Sequence, residues 1–292
     1  VSQFTVLGAG GFIGRAVTSW LRARGDAATA VGRAEIADLL TARAPMGHVL
    51  CCIGLTADFR DRPLATADAH VGLVAQFLEA LDFESFLYLS SSRVYARAEI
   101  GREDLPIEVQ PSALGDLYNI TKLAGEALCL SDPRPQVRVA RLSNVYGPGM
   151  GPGNFLGQVL AEGLRGGEVL LRQGLLSSKD YVALDDVLPA LHAIATSGGT
   201  RIYNVARGHN VTHDAIMAVL TQRLGWRVTV METAAAVRFP RLDVSRLATE
   251  FAAPRGLLLE DIPQLVQVMR DGPALTNSPW NRPASMWSAA PC

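Results

Sequence analysis

The chain has 292 residues, 49% hydrophobic and 19% charged, which suits a globular enzyme of one large domain or two closely joined ones. Its formal net charge of −1 gives no basic footprint for nucleic acid or an anionic membrane. No apolar run reaches the roughly 20 residues a spanning helix needs, and no signal-peptide pattern opens the chain, so a cytoplasmic location is expected.

Phe4-Thr5-Val6-Leu7 is a short apolar, β-branched run and reads as a buried strand. It meets the turn Gly8-Ala9-Gly10-Gly11-Phe12-Ile13-Gly14, after which Arg15–Arg22 has helical spacing. Strand, glycine turn and helix form the context in which such a motif holds a dinucleotide. Gly8 permits the tight turn, Gly11 the approach of backbone to a pyrophosphate, and Gly14 close packing of helix on strand. Phe12 and Ile13 open the helix, whose free N–H groups face the phosphates.

Ala28–Val31 reads as the second strand. The acidic residue that would hold the ribose diol of NAD is replaced by Gly32-Arg33, and Arg33 suits a 2′-phosphate. NADP is therefore the expected cofactor, with NAD the alternative; Glu35 lies just beyond and would serve the diol if the strand ended two residues later. Ile36–Ala44 suggests a short helix. His48–Gly54 suggests the third strand, with Cys52 and Gly54 beside the cofactor ribose. Asp68–Leu81 has helical periodicity, and His70 at its start reads as a packing or hydrogen-bonding residue. Phe86–Leu89 is the fourth strand and ends in Ser90-Ser91-Ser92-Arg93-Val94-Tyr95. Ligands gather at the carboxyl ends of parallel strands, so Ser91 and Ser92 are candidates for contact with a reacting hydroxyl. The polar, Pro-bearing loop Ala96–Gly115 reads as a lid.

Leu117–Leu130 is the helix that carries Tyr118 and Lys122. Residues four apart share one face of a helix. An ammonium beside a phenol favours the phenolate, and a phenol so tuned can take or give the proton of an alcohol while hydride moves. Val137–Leu142 alternates as a strand and meets Asn144-Val145-Tyr146-Gly147-Pro148-Gly149. Alternating strands and helices over this half predict a doubly wound parallel sheet of the Rossmann type. Beyond Gly149 the rhythm changes. A Gly/Pro loop to Asn154 leads to a helix Phe155–Arg165 and a strand Glu168–Arg172. Ser177–Val187 follows, then a helix Val187–Thr196, a strand Ile202–Val205, a helix His213–Leu224, a strand Arg227–Met231 and a helix Leu257–Met269. The expected organisation is a dinucleotide-binding domain over 1–150, rejoined by about 180–206, and a smaller C-terminal substrate-binding domain over 151–270. A tail of 271–292 without periodicity completes the chain. Cys51, Cys52, Cys129 and Cys292 show no metal spacing; they read as small apolar residues, and no metal is expected.

Together the glycine motif, Ser90–Tyr95, Tyr118/Lys122, Asn144–Gly149, Lys179-Asp180-Tyr181 and Asp185-Asp186-Val187 resemble the extended short-chain dehydrogenase/reductases, in particular the NAD-dependent epimerase/dehydratase group acting on nucleotide sugars. The resemblance covers about residues 3 to 270. It implies Ser91 as the substrate-binding hydroxyl, Tyr118 as acid/base, and Lys122 as the residue that binds the nicotinamide ribose and tunes Tyr118. It also implies nucleotide-sugar contacts around Asn144, Asn154 and Lys179, and a homodimer. Where the 4,6-dehydratases of the group carry an Asp-Glu pair, this chain has Ser92 and Arg93, so removal of water is disfavoured. The expected activity is epimerisation or ketoreduction at C4 of a nucleotide-linked sugar. The alternatives are an NADPH-dependent ketoreductase on another carbonyl and a non-catalytic cofactor-binding sensor or assembly protein.

Overall fold

The computed structural model describes residues 2–42, 44–55, 58–232 and 235–271. Six parallel strands form the central sheet: β1 Gln3–Leu7, β2 Ala27–Val31, β3 His48–Cys51, β4 Ser85–Ser91, β5 Val137–Leu142 and β6 Ile202–Val205. They lie in the order β2-β1-β3-β4-β5-β6. The direction of winding reverses between β1 and β3, which opens a crevice at their carboxyl ends, where doubly wound sheets take ligands.

Period-two alternation sends each strand's side chains to two cores. Phe4, Val6, Leu50, Leu87 and Leu89 pack against Val17 and Leu21 of the helix Phe12–Ala23 and Val187 and Leu191 of the helix Leu184–Ser197. Leu7, Val49, Cys51, Phe86 and Tyr88 face Val74 and Phe77 of the helix Leu73–Ala80 and Cys129 of the helix Asp116–Ser131. Apolar surface is thus buried on both faces, as near-continuous hydrophobic strands require.

Two expected elements differ in detail. The third strand stops at Cys51, and Cys52–Leu55 leaves the sheet as irregular backbone that includes Gly54. The expected Asp68–Leu81 helix begins earlier, at Pro63, and runs to Ala80 through a π-turn at Asp68–Gly72. Pro at a helix start has the right φ and no N–H to waste. The lid segment contains Ile100–Gly101, which pairs in parallel with Arg241–Leu242.

Beyond β5, a three-stranded sheet joins Asn210–Thr212, Ser178–Ala183 and Asn144–Tyr146. A further core gathers Leu156, Leu160, Ile216, Leu220, Trp226, Ile262 and Val266. Of the expected tail, Asp271 closes the helix Leu258–Asp271 and residues 272–292 lie outside the described residues.

Candidate functional site

At the end of β1 the chain makes the expected glycine turn. Gly8 sits at φ +79°, and a Cβ there would meet backbone of Cys52 and Ile53 at 3.0 Å. A Cβ on Gly14 would stand 2.3 Å from the Gly8 carbonyl oxygen, so only glycine allows the helix this close to the turn. Gly11 precedes the helix Phe12–Ala23; among the described residues no side chain caps it, and its first turn has no acidic residue. Phe12, Ile13 and Gly14 therefore open the helix with N–H groups and positive dipole suited to a pyrophosphate.

The segment Cys52–Leu55 links this turn to the helix Asp116–Ser131. Cys52 donates its N–H to the Leu7 carbonyl at 2.9 Å. A Cβ on Gly54 would lie 3.3 Å from Lys122 Nζ and 3.4 Å from His70 Nε2. Leu55 donates its N–H to His70 Nε2 at 3.2 Å, so His70 carries its proton on Nδ1 and donates it to Thr121 Oγ1 at 2.9 Å. Thr121 in turn donates to the Leu117 carbonyl. Burial, with help from Lys122, pushes the imidazole down to about 2, so it stays neutral. The π-turn aims His70 inward, and Gly125 gives it room: a Cβ on Gly125 would lie 2.4 Å from the His70 carbonyl oxygen.

Tyr118 is 5% exposed, and Lys122, one turn later, is 3% exposed. The Ser91 hydroxyl accepts the Arg93 N–H at 3.2 Å and lies beside the Tyr118 phenol. Phe59 covers the tyrosine, their ring centroids 5.5 Å apart, and His70 meets its edge at 5.3 Å. The Arg93 guanidinium lies 5.8 Å from the Tyr118 ring centroid and 5.3 Å from that of Phe59. Burial raises the phenol's pKa, and the neighbouring Ser91 hydroxyl and the Arg93 charge pull it back in part. The lowering expected from Lys122 is therefore not the net direction, and the cation acting on the phenol is Arg93. Lys122 itself donates to the Leu89 carbonyl, and burial pushes it down to about 8.

A second group forms around the three-stranded sheet. Ser91 is paired with Leu142 on β5, and Asn144 lies two residues beyond that partner. Asn144 donates its side-chain N–H to the Asp180 carbonyl at 2.8 Å. Asn154 caps the helix Phe155–Gly166 by accepting the Gly157 N–H at 2.8 Å. Lys179 Nζ lies 5.5 Å from the centroid of Phe155, the next residue, and 5.7 Å from that of Phe239. Phe155 also stacks on the buried His213, ring centroids 3.8 Å apart. Ser92 is half-buried at the start of the short helix Ser92–Tyr95.

Arg33 is exposed past the end of β2. Glu35 turns back, and its carboxylate accepts the Gly32 N–H at 2.8 Å.

The structure thus brings together Gly8, Gly14, Cys52, Gly54 and Lys122 along one path, sets Ser91 beside Tyr118, and gathers Asn154 and Lys179 around Phe155. Phe59, which covers Tyr118, and Arg60, which stacks on Phe59, carry no signal in the sequence. Arg93 stood out there only as a missing acid.

The profile of the NAD dependent epimerase/dehydratase family matches residues 4–206. The chain belongs to this family. Two curated members, the dTDP-glucose 4,6-dehydratases of Streptomyces antibioticus and Streptomyces griseus, are each 28% identical to it, over 208 and 147 residues. Those matches take in 68% and 48% of this chain, and 61% and 43% of the dehydratases, so the chain spans less than two thirds of either relative. Among solved structures, MoeE5 in complex with UDP-glucuronic acid and NAD superposes with a TM-score of 0.76 at 22% identity, over 92% of this chain and 99% of MoeE5. UDP-glucuronic acid 4-epimerase from Bacillus cereus, in complex with UDP-glucuronic acid and NAD, superposes with a TM-score of 0.74 at 17% identity, over 91% of this chain and 98% of that one. At these identities the likeness is one of fold. No helix among the described residues is long and apolar enough to cross a membrane.

Proposed function

We propose that this family member oxidises and reduces C4 of a nucleotide-linked sugar, with Tyr118 as acid/base, Ser91 holding the reacting oxygen and Lys122 binding the cofactor ribose. The observation that carries the reading is that Ser91, at the end of β4, lies beside the buried Tyr118 phenol on a helix whose Lys122 meets Gly54, at the far end of the path from the glycine turn. That path fits a dinucleotide: Gly8 and Gly14 let the turn pack against Cys52, Ile53 and the helix where a Cβ would strike backbone, and the helix beyond offers uncapped N–H groups. Gly8–Gly14 would hold the pyrophosphate, Cys52 and Gly54 the ribose region, and Lys122 the nicotinamide ribose. Bound there, the nicotinamide supplies the hydride acceptor and donor.

Ser91 directs its proton to the oxygen that Tyr118 serves, which orients a sugar hydroxyl between them. Tyr118 takes the hydroxyl proton as the ketone forms and returns it when the alcohol is restored. The phenol starts above its ordinary pKa, so Arg93 and Ser91 help it to act as a base. Phe59 and His70 exclude water from the ring. Asn144, Asn154 and Lys179 are proposed to reach the nucleotide sugar, and the Leu156–Val266 core to support that substrate half.

The cofactor's adenosine ribose would lie at Gly32–Glu35. Arg33 alone suggested NADP. Both side chains are exposed, but the Glu35 carboxylate is tethered to the Gly32 N–H, which fixes it at the end of β2. A carboxylate there accepts from a diol and repels a phosphate, so NAD replaces NADP in our reading. A retained NAD in turn favours the epimerase over the reductase. The activity of the Streptomyces dehydratases is not carried over, because dehydration needs a second acid and base and Arg93 supplies neither.

The test is to incubate the protein with NAD or NADP and a panel of UDP-, dTDP- and GDP-sugars and analyse the products. Conversion at C4 is expected, slowed about 10²–10⁴-fold in Tyr118→Phe. Undiminished conversion in that variant would remove Tyr118 from the chemistry.

A further inference from the structure

Resting on the cofactor placement just proposed, we infer that His70 is a positioning residue: it mounts the Cys52–Leu55 segment on the Tyr118 helix and so sets where the nicotinamide ribose comes to rest. Irregular backbone needs partners from outside itself. Cys52, at one end of this segment, donates to the Leu7 carbonyl at 2.9 Å, and Leu55, at the other, donates to His70 Nε2 at 3.2 Å. Gly54, between them, is exposed, while Lys122 and His70 beside it are buried. Lys122 Nζ and His70 Nε2 stand 3.3 and 3.4 Å from the point where a Cβ on Gly54 would lie. A ribose held by Lys122 therefore meets Gly54, and the Leu55 hydrogen bond fixes the height of that floor.

His70 is itself held on several sides. Its Nδ1 donates to Thr121 Oγ1 at 2.9 Å, and its carbonyl accepts the Tyr88 hydroxyl at 3.3 Å. The π-turn Asp68–Gly72 carries it, and such turns inside helices recur at functional sites. Thr121 stands between Tyr118 and Lys122 on one helix. The phenol, the ammonium and the backbone that would face the ribose thus share one mount. Both ring nitrogens are committed, so neither is open to exchange a proton with the phenol. Burial, with help from Lys122, keeps the imidazole neutral. Nε2 therefore keeps its lone pair for Leu55, and no second cation stands beside Lys122.

Three ligands of increasing length test the inference on the full chain freed of bound nucleotide. ADP reaches the glycine turn, ADP-ribose adds the ribose, and NAD adds the nicotinamide. The parent is expected to bind ADP-ribose and NAD more tightly than ADP in calorimetric titrations. His70→Leu is expected to weaken ADP-ribose and NAD about tenfold and to leave ADP within about twofold. His70→Gln offers Leu55 an amide oxygen and is expected to restore most of the loss. Thr121→Val keeps the side-chain volume and removes the acceptor of the Nδ1 proton. It is expected to show part of the loss, and it keeps the test open if His70→Leu does not fold. A damaged fold weakens all three ligands alike, which separates positioning from general stability. An equal loss for ADP, unchanged binding of all three, or no rescue by Gln overturns the inference. Lys122→Met then decides whether the placement survives: a selective loss of ADP-ribose and NAD in that variant leaves it standing. A parent that binds ADP-ribose no more tightly than ADP, or unchanged ADP-ribose binding in Lys122→Met, removes the ribose from this place and the inference with it.

Discussion

Lys122 donates its ammonium to the Leu89 carbonyl at 2.8 Å, with Nζ 4.8 Å from the centroid of the Tyr88 ring. The contact anchors the cation to the end of β4, two residues before Ser91. The phenol and the amine of one helical turn thus engage different neighbours, Tyr118 that serine and Lys122 the strand backbone.

Keeping that lysine buried has an energetic consequence with a definite sign. Its pKa falls from 10.5 to about 8 on folding, chiefly through burial. Below pH 10.5 the unfolded chain holds the proton more tightly, so folding loses stability there. The loss is complete below about pH 8, at roughly 3 kcal/mol, and fades as the pH rises from 8 to 10.5. Lys122→Met is expected to be more stable than the parent at pH 7 by about 1–3 kcal/mol, after allowing for the lost Leu89 bond. Urea unfolding checks this, and the gain should shrink toward about pH 10.

The helix that carries Tyr118 is pinned from below by a buried network. Arg141 Nε donates to both carboxylate oxygens of Glu126, at 3.0 and 3.1 Å, Ser90 donates to the same carboxylate, and Arg141 Nη1 donates to Tyr95 at 2.6 Å. Glu126→Gln leaves the guanidinium without its counter-charge and is expected to lose about 3–5 kcal/mol of stability. Arg141→Met is expected to lose a similar amount. The double replacement should cost less than the two singles added, which denaturant unfolding of all three variants would measure.

Gly14→Ala drives a methyl against backbone that cannot rotate away, 2.3 Å from the Gly8 carbonyl oxygen. We expect a loss of about 1–3 kcal/mol and a cofactor affinity at least about tenfold weaker. Gly10→Ala meets nothing within 4 Å and should leave the unfolding midpoint in place. Calorimetric titration of NAD together with thermal unfolding separates the two.

These glycines show what the sequence makes legible. Close backbone approach at Gly8 and Gly14 leaves a spacing in the sequence, and so does a helical step from Tyr118 to Lys122. Strands with apolar residues at every position, such as Phe86–Leu89, are equally plain. What depends on contacts between distant segments leaves no such mark. Nothing local says that Phe59 covers Tyr118, that a π-turn points His70 at Gly54, or that Glu35 folds back to Gly32. Ser178–Ala183 goes unrecognised as a strand because Lys179 and Asp180 interrupt its apolar pattern, although both have partners in the fold. The direction of the Tyr118 pKa is hidden for the same reason, since burial outweighs nearby charge.

The adenosine end yields a prediction of its own. Glu35→Ala is expected to weaken NAD and to raise the affinity for NADP relative to NAD, while Arg33→Ala should affect NADP more than NAD. Titration of both cofactors into both variants measures it, and a preference for NAD that survives Glu35→Ala would remove that carboxylate from the account.

The most direct test of C4 chemistry follows the hydrogen itself. A nucleotide sugar labelled with deuterium at C4 is mixed with the cofactor-loaded protein, the reaction is quenched within one turnover, and the released nicotinamide is examined by mass spectrometry. The account predicts deuterium on the nicotinamide ring in the parent protein and about a hundredfold slower labelling in Tyr118→Phe. Converted sugar whose C4 deuterium has been lost to solvent, or equal labelling in the two proteins, would contradict it.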